Sequence, residues 1–179
     1  YQEWEERARE VLEPPAFDYI AGGAGTEDTM RANLESFRRW RLVPKMLRGT
    51  GERDCSVEVL GARSPAPFLL APVGVQGIAH QDAELAVARA AAATGVPMVV
   101  SSASSTPMEA IAEALGDTPR WYQLYWVSDR GVVESLVRRA EKSGHSAIVL
   151  TLDTLHVGWR DRDLRNHIFS AIPGRQGHR

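Results

Sequence analysis

Four stretches of this 179-residue sequence place small or polar side chains directly after apolar runs. They are Val73-Gly74, Ser101-Ser102, Gln123 with Tyr125, and Thr151 with Asp153. Gln123 and Tyr125 are two apart, so on a strand they point to the same face, and Thr151 and Asp153 do likewise. An apolar strand has no packing need for Gln or Thr. Burying an amide without a partner costs on the order of 2 kcal/mol or more, so Gln123 must have one. Each group taken alone has a second reading, as a cap for neighbouring backbone. Four together point to a polar, planar ligand such as a heteroatom-rich ring. Gly74 and Gly77 suit the same purpose, because a residue without Cβ lets the backbone approach a flat or phosphorylated group closely.

The elements that must position these residues follow a regular grammar from Pro67 onward. The pattern predicts strands over 67–71, 97–101, 121–125 and 146–152, and a helix after each of the first three. The first helix, 82–94, is Ala-rich and closed by Gly95. The second opens at Thr106-Pro107-Met108-Glu109, a capping box with Pro at the first helical position. The third opens at Ser128-Asp129, an N-cap, and ends at Ser143-Gly144. The strand ends fall near 72, 101, 125 and 153, one strand–helix unit apart. Continuous apolar strands alternating with amphipathic helices predict a parallel sheet buried on both faces. Two architectures satisfy this, an open doubly wound sheet and part of a (β/α)8 barrel. No G-x-G-x-x-G run follows the first strand, which counts against a dinucleotide site. A whole barrel takes about 250 residues, and the repeat region here holds four units, half of one.

Ahead of the repeat, helices are expected over 2–12 and about 15–21, the second opened by Pro15 and stopped by Gly22-Gly23-Ala24-Gly25. Thr26 is the expected N-cap of a third, with Met30, Leu34 and Phe37 at helical spacing. Residues 56–60 read as a short strand before Gly61. The division is thus a helical lead-in over 1–66, the repeat over 67–164, and a loop or disordered tail over 165–179.

Composition excludes several classes. The chain is 44% hydrophobic and 25% charged, with a net charge of −2 and a pI near 6.2. Nothing there drives binding to nucleic acid or an anionic membrane, and Arg38-Arg39-Trp40-Arg41 reads as a solvated face beside a packed tryptophan. One cysteine, Cys55, excludes an internal disulfide framework and any multi-Cys metal site, and it suits a reducing cytoplasm. No apolar run reaches the length of a membrane span, and the acidic N-terminal stretch is not a signal peptide. His167 and His178 read as surface residues, and His80 as a helix-start or packing residue.

Five motifs in order resemble one family. Phe17-Asp-Tyr-Ile-Ala-Gly-Gly-Ala-Gly25, Ala71-Pro-Val-Gly-Val-Gln76, Ser101-Ser-Ala-Ser-Ser105, Gln123-Leu-Tyr125 and Thr151-Leu-Asp-Thr154, followed by Gly158-Trp-Arg160, resemble the FMN-dependent α-hydroxy acid dehydrogenase/oxidase family. The wording is nearest to its lactate 2-monooxygenase-like branch. The resemblance implies an FMN-binding (β/α)8 barrel, with this chain covering the N-terminal helices and about the first four βα units. It implies FMN contacts from Val73, Gly74, Ser101, Gln123 and Thr151, and substrate contacts from Tyr19, Tyr125 and Arg160. The implied reaction is oxidation of a small L-2-hydroxy acid to a 2-oxo acid or its decarboxylated product. The family's histidine base, second substrate arginine, flavin-side lysine and phosphate-binding segments lie in the second half of its barrel. No catalytic residue is therefore assigned in this chain. The expected partners are the hydroxy acid and either further copies of the chain or the other half of the barrel. The competing reading is a non-catalytic half-barrel that serves binding or assembly, its open sheet edges covered by association.

Overall fold

A computed structural model describes residues 2–49, 51–154 and 158–167. These residues fall into two compact units, one of residues 2–49 with 158–167 and one of residues 51–154.

In the first unit, α1 (Gln2–Val11) precedes α2 (Pro14–Ala21), which carries proline in its first turn, where a missing N–H costs nothing. Gly22 caps α2, so the glycine run is a helix stop, as expected. Helix α3 (Asp28–Ser36) departs from expectation at its start. Glu27, in the left-handed region at φ 61°, is the N-cap residue. Thr26 instead spends its hydroxyl on the Asp28 carboxylate (2.7 Å) and so does not cap. The expected apolar stripe does not bury: Leu34 and Phe37 are exposed.

In the same unit, residues 158–160 and the short helix α7 (Asp161–Arg165) pack on α2 and the glycine turn. Gly25 N–H donates to the Trp159 carbonyl (2.7 Å). Asn166 Nδ2 donates to Asp18 (2.8 Å), and Arg162 pairs with Glu27 (2.8 Å). Arg165 therefore closes a helix, and the rest of the expected tail, 168–179, lies outside the described residues.

The second unit opens with a hairpin. The expected strand is β1 (Val57–Val59), and its antiparallel partner β2 (Ala62–Ser64) follows a turn at Leu60-Gly61. The parallel sheet then runs β3 (Met98–Ser101), β4 (Arg120–Tyr125), β5 (Ile148–Thr151), in that spatial order. Helix α4 (Ala83–Thr94) precedes β3, α5 (Met108–Leu115) joins β3 to β4, and α6 (Arg130–Lys142) joins β4 to β5.

The expected strand over 67–71 is not formed. Only Leu70 makes a ladder contact, its N–H donating to the Pro97 carbonyl (2.9 Å) and its own carbonyl accepting from Val99 N–H (3.0 Å). Pro67 and Pro72 have no N–H to extend the pairing on either side. The sheet is also not buried on both faces throughout. Register puts Ile148 beside Tyr122 and Leu150 beside Leu124, yet Ile148 and Leu150 stay 42% exposed.

The core lies on the helix side of the sheet. Met98, Val100, Tyr122 and Leu124 meet Ala88 and Ala91 of α4, Met108, Ile111 and Leu115 of α5, and Val133 and Ala140 of α6. Ile111, Leu115 and Tyr122 are fully buried, and each such side chain contributes about 1.5–3 kcal/mol. Alternation sends the other set, Val99, Ser101, Gln123 and Tyr125, to the opposite face.

Capping divides in the same way between expectation and outcome. Asp129 caps α6 as expected, accepting from the N–H groups of Gly131 (2.8 Å) and Val132 (3.3 Å). The capping box at 106–109 does not form. Glu109 turns instead to Arg139 on α6, with two bonds at 2.7 and 2.9 Å.

Candidate functional site

Ser101 and Thr151 end β3 and β5, Gln123 stands two residues before the end of β4, and the three form one hydrogen-bonded chain across the sheet. Gln123 Oε1 accepts from Ser101 Oγ (3.2 Å), Ser102 N–H (3.2 Å) and Ser102 Oγ (3.4 Å). Its Nε2 donates to Thr151 Oγ1 (2.8 Å). Gln123 is 2% exposed, so the amide has the partner its burial demands. Donors remain unspent: Nε2 carries a second N–H, and Thr151, having accepted at oxygen, keeps its own hydroxyl proton to donate. Tyr125 lies two residues further along β4, half-buried, on the same face.

The turn after Leu70 lies beside this row. Val73 is exposed, and its carbonyl accepts from Gln76 Nε2 (3.1 Å). Gly74 N–H has no partner among the described residues, which leaves a backbone donor there. A Cβ at Gly74 would stand 2.9 Å from Ala103 Cβ, so the glycine is required by the neighbouring loop. Val75 holds φ 54°, a left-handed conformation that costs a β-branched residue about 1–3 kcal/mol. Its N–H is fixed to the Ala103 carbonyl (3.0 Å). Strain of this kind persists only where surrounding bonds over-determine it.

One residue that sequence reasoning passed over ties these loops together. Glu84 of α4 is fully buried, and its carboxylate accepts from Gln76 N–H (3.3 Å), Ser105 N–H (2.9 Å) and Thr106 N–H (3.1 Å). A signal was present: Glu84, Ala88 and Ala91 sit at i, i+4 and i+7, so the acid shares the buried stripe of α4.

In the first unit, Tyr19 and Arg160 come together. The guanidinium carbon of Arg160 lies 5.1 Å from the Tyr19 ring centre, and Nη2 donates to the Tyr19 carbonyl (2.5 Å). Its Nε is bound to the carboxylate of Asp163, a residue 1% exposed. Arg160 Nη1 has no partner among the described residues, so the fork keeps donors for an incoming carboxylate. Asp163 Oδ1 is buried without a partner among the described residues. In the same unit, the Gly23 N–H and the Arg162 guanidinium hold the Glu27 carboxyl below its usual range.

The remaining polar residues take structural places. His80 Nδ1 accepts from Asp82 N–H (3.1 Å) at the entry to α4. No group of three or more His, Cys, Asp or Glu able to hold a metal occurs among the described residues. No helix among them is long and apolar enough to cross a membrane. An apolar cleft of about 380 Å³, lined by Val57, Val59, Phe68, Pro97, Pro119 and Trp121 among others, lies at the N-terminal strand ends, away from the polar row.

Comparison with known proteins gives this arrangement a context. A family model described as FMN-dependent dehydrogenase matches residues 8–177. The FMN-dependent alpha-hydroxy acid dehydrogenase qulF of Penicillium citrinum is 43% identical over 170 residues, 95% of this chain and 42% of that protein. The L-lactate oxidase of Lysinibacillus sphaericus (strain C3-41) is 38% identical over 172 residues, 96% of this chain and 44% of that protein. A crystal structure of mandelate oxidase with 3,3-difluoro-2-hydroxy-3-phenylpropionic acid superposes with a TM-score of 0.88 at 41% identity, covering 93% of this chain and 50% of the other. The chain thus spans less than half of these curated relatives. It carries about half of the FMN-linked (β/α)8 barrel, as the strand count anticipated.

Proposed function

We propose that the protein carrying this chain, which belongs to the FMN-dependent dehydrogenase family, oxidises a small, lactate-like 2-hydroxy acid. The product is a 2-oxo acid or, when oxygen takes part, the carboxylic acid one carbon shorter together with carbon dioxide. The observation that carries the reading is the Ser101–Gln123–Thr151 chain at the carboxyl ends of three parallel strands. That is where βα barrels bind ligands.

The donor set fits FMN. The pyrimidine edge of a flavin alternates carbonyl oxygens with an N–H. Gln123 offers an amide N–H, and Thr151 offers a hydroxyl proton. Ser101 holds the amide at the required roll by donating to its oxygen. Gly74 adds a backbone N–H, and Val73 presents an exposed apolar side chain next to it. When bound, FMN supplies the two-electron acceptor. The chain's own residues bind and orient. In the first unit, Arg160 offers a carboxylate clamp whose geometry is held by Asp163 and the Tyr19 carbonyl. The hydroxyls of Tyr19 and Tyr125 suit the carboxylate or the hydroxyl of such a substrate.

The exposed Ile148 and Leu150 on the helix-side face of β5 favour continuation of the repeat. A further helix in the established rhythm would cover them, which argues against a free-standing half-barrel module.

The test is spectral. Full-length protein should purify yellow, and lactate, glycolate or mandelate should bleach the flavin under anaerobic conditions. Product analysis in air then separates a 2-oxo acid with peroxide from a decarboxylated acid. A colourless protein that no 2-hydroxy acid affects rules the reading out.

A further inference from the structure

We infer that Glu84 is a positioning residue for the FMN site, fixing the 73–78 turn and the 102–106 loop against one another so that the flavin meets both in one arrangement. The inference rests on the FMN reading above and names a residue that reading does not use.

The case begins with cost. Removing a carboxylate from water costs several kcal/mol unless hydrogen bonds replace the water. An apolar residue would satisfy the stripe that Glu84 shares with Ala88 and Ala91. The carboxylate instead receives three backbone N–H groups, all from the two loops: Gln76 from one, Ser105 and Thr106 from the other. Backbone N–H groups bonded to a carboxylate form the stronger, charge-assisted class.

The joint has further members. Gly77 N–H donates to Ser105 Oγ (3.0 Å), and Val75 N–H donates to the Ala103 carbonyl (3.0 Å). Together they hold Val75 in its left-handed conformation and Gly74 hard against Ala103. The Ala103 loop in turn begins at Ser101 and Ser102, which bind the Gln123 amide oxygen. Glu84 is therefore linked through one unbroken set of bonds to both backbone and side-chain donors of the flavin row. Releasing it frees a strained turn to relax, and Gly74 moves with that turn.

The experiment compares full-length parent protein with Glu84→Gln and with Glu109→Gln. The second variant breaks the α5–α6 ion pair, outside the joint, and serves as the control for stability alone. FMN affinity is measured by fluorescence quenching well below the melting temperature of each protein, and visible circular dichroism reports the flavin's surroundings. Glu84→Gln keeps the shape but turns an NH2 towards an N–H donor. It is expected to raise the FMN Kd on the order of tenfold and to change the visible dichroism. Glu109→Gln is expected to lower stability and leave both flavin readouts unchanged.

An unchanged Kd and dichroism in Glu84→Gln overturn the inference alone, since the parent still binds FMN. A parent that takes up no FMN overturns it together with the reading it rests on. If Glu84→Gln does not fold, Ser105→Ala severs a second tie of the joint and should raise the Kd by about threefold. An unchanged Kd there overturns the inference equally.

Discussion

Gln123 shows what a single buried amide contributes. Its Nε2 donates one bond to a hydroxyl and its oxygen accepts from up to three donors, among aromatic and aliphatic neighbours from Trp121 to Tyr125 on the strand. Replacing it with leucine keeps the volume and removes every one of those partners. Buried Ser101 then faces hydrocarbon, at about 1–3 kcal/mol for an unsatisfied buried group, and half-buried Ser102 and Thr151 lose a partner each. Gln123→Leu should therefore lower the denaturation midpoint and weaken FMN binding together. Gln123→Glu should separate the two effects. It restores the acceptor, loses the donor, and places a carboxylate where the reading requires an N–H towards a flavin carbonyl. Thermal unfolding and FMN titration of both variants make the check, and an unimpaired FMN affinity in Gln123→Glu contradicts the assigned role.

At the scale of elements, Asp129 is a local instruction that the fold obeys. It precedes α6 and accepts from the N–H groups of Gly131 and Val132, as an N-cap aspartate should. Asp129→Ala should cost about 1 kcal/mol, and Asp129→Ser should restore most of it, read from urea unfolding midpoints.

Elements of this kind were legible because their causes are local. The alternation of α4, α5 and α6 with β3, β4 and β5 follows from apolar runs and Gly or Pro punctuation. So does the alignment of Ser101, Gln123 and Thr151, because strand ends determine it. The failures share a different cause, competition from distant residues. Glu109 had the spacing of a capping box, but the Arg139 fork offered two bonds from a full positive charge where the box offers one backbone N–H. Residues 67–71 had the composition of a strand, but two prolines and one available partner edge left a single bridge. Glu84 escaped notice because first-turn acids are ordinarily solvent-exposed dipole partners. Its role depends on loops that only the folded chain brings to it.

Over the whole molecule, several ionisable groups tie stability to pH, and His145 and Glu109 mark two windows. His145 lies between α6 and β5, buried, with its ring edge on Tyr122 (5.8 Å between centroids, 76° between planes). Its Nδ1 is 3.0 Å from the Ala140 carbonyl, and Nε2 is buried without a partner among the described residues. Burial pushes its pKa below 6.5, and Arg120 adds to this; the Ala140 carbonyl and Glu109 oppose it. The unfolded chain therefore binds the proton first as pH falls. The stability associated with neutral His145 is complete above pH 6.5 and drains away as pH drops from there towards the folded pKa. Glu109 has its own, lower window. The Arg139 guanidinium, followed by a bond from Glu109's own backbone N–H, lowers it from 4.5 to about 2. Its contribution is present above pH 4.5 and is lost as pH falls towards 2. Both partners are nearly half exposed, so solvent and salt screen that contribution and keep it small. The urea midpoint should thus begin to fall as pH drops below about 6.5 and fall again below about pH 4.5, with only the last step weakened by added salt. His145→Phe should remove the first step and leave the second. A parent midpoint unchanged between about pH 7.5 and 5.5 would show that the imidazole takes up its proton as readily folded as unfolded, contrary to its burial against Tyr122.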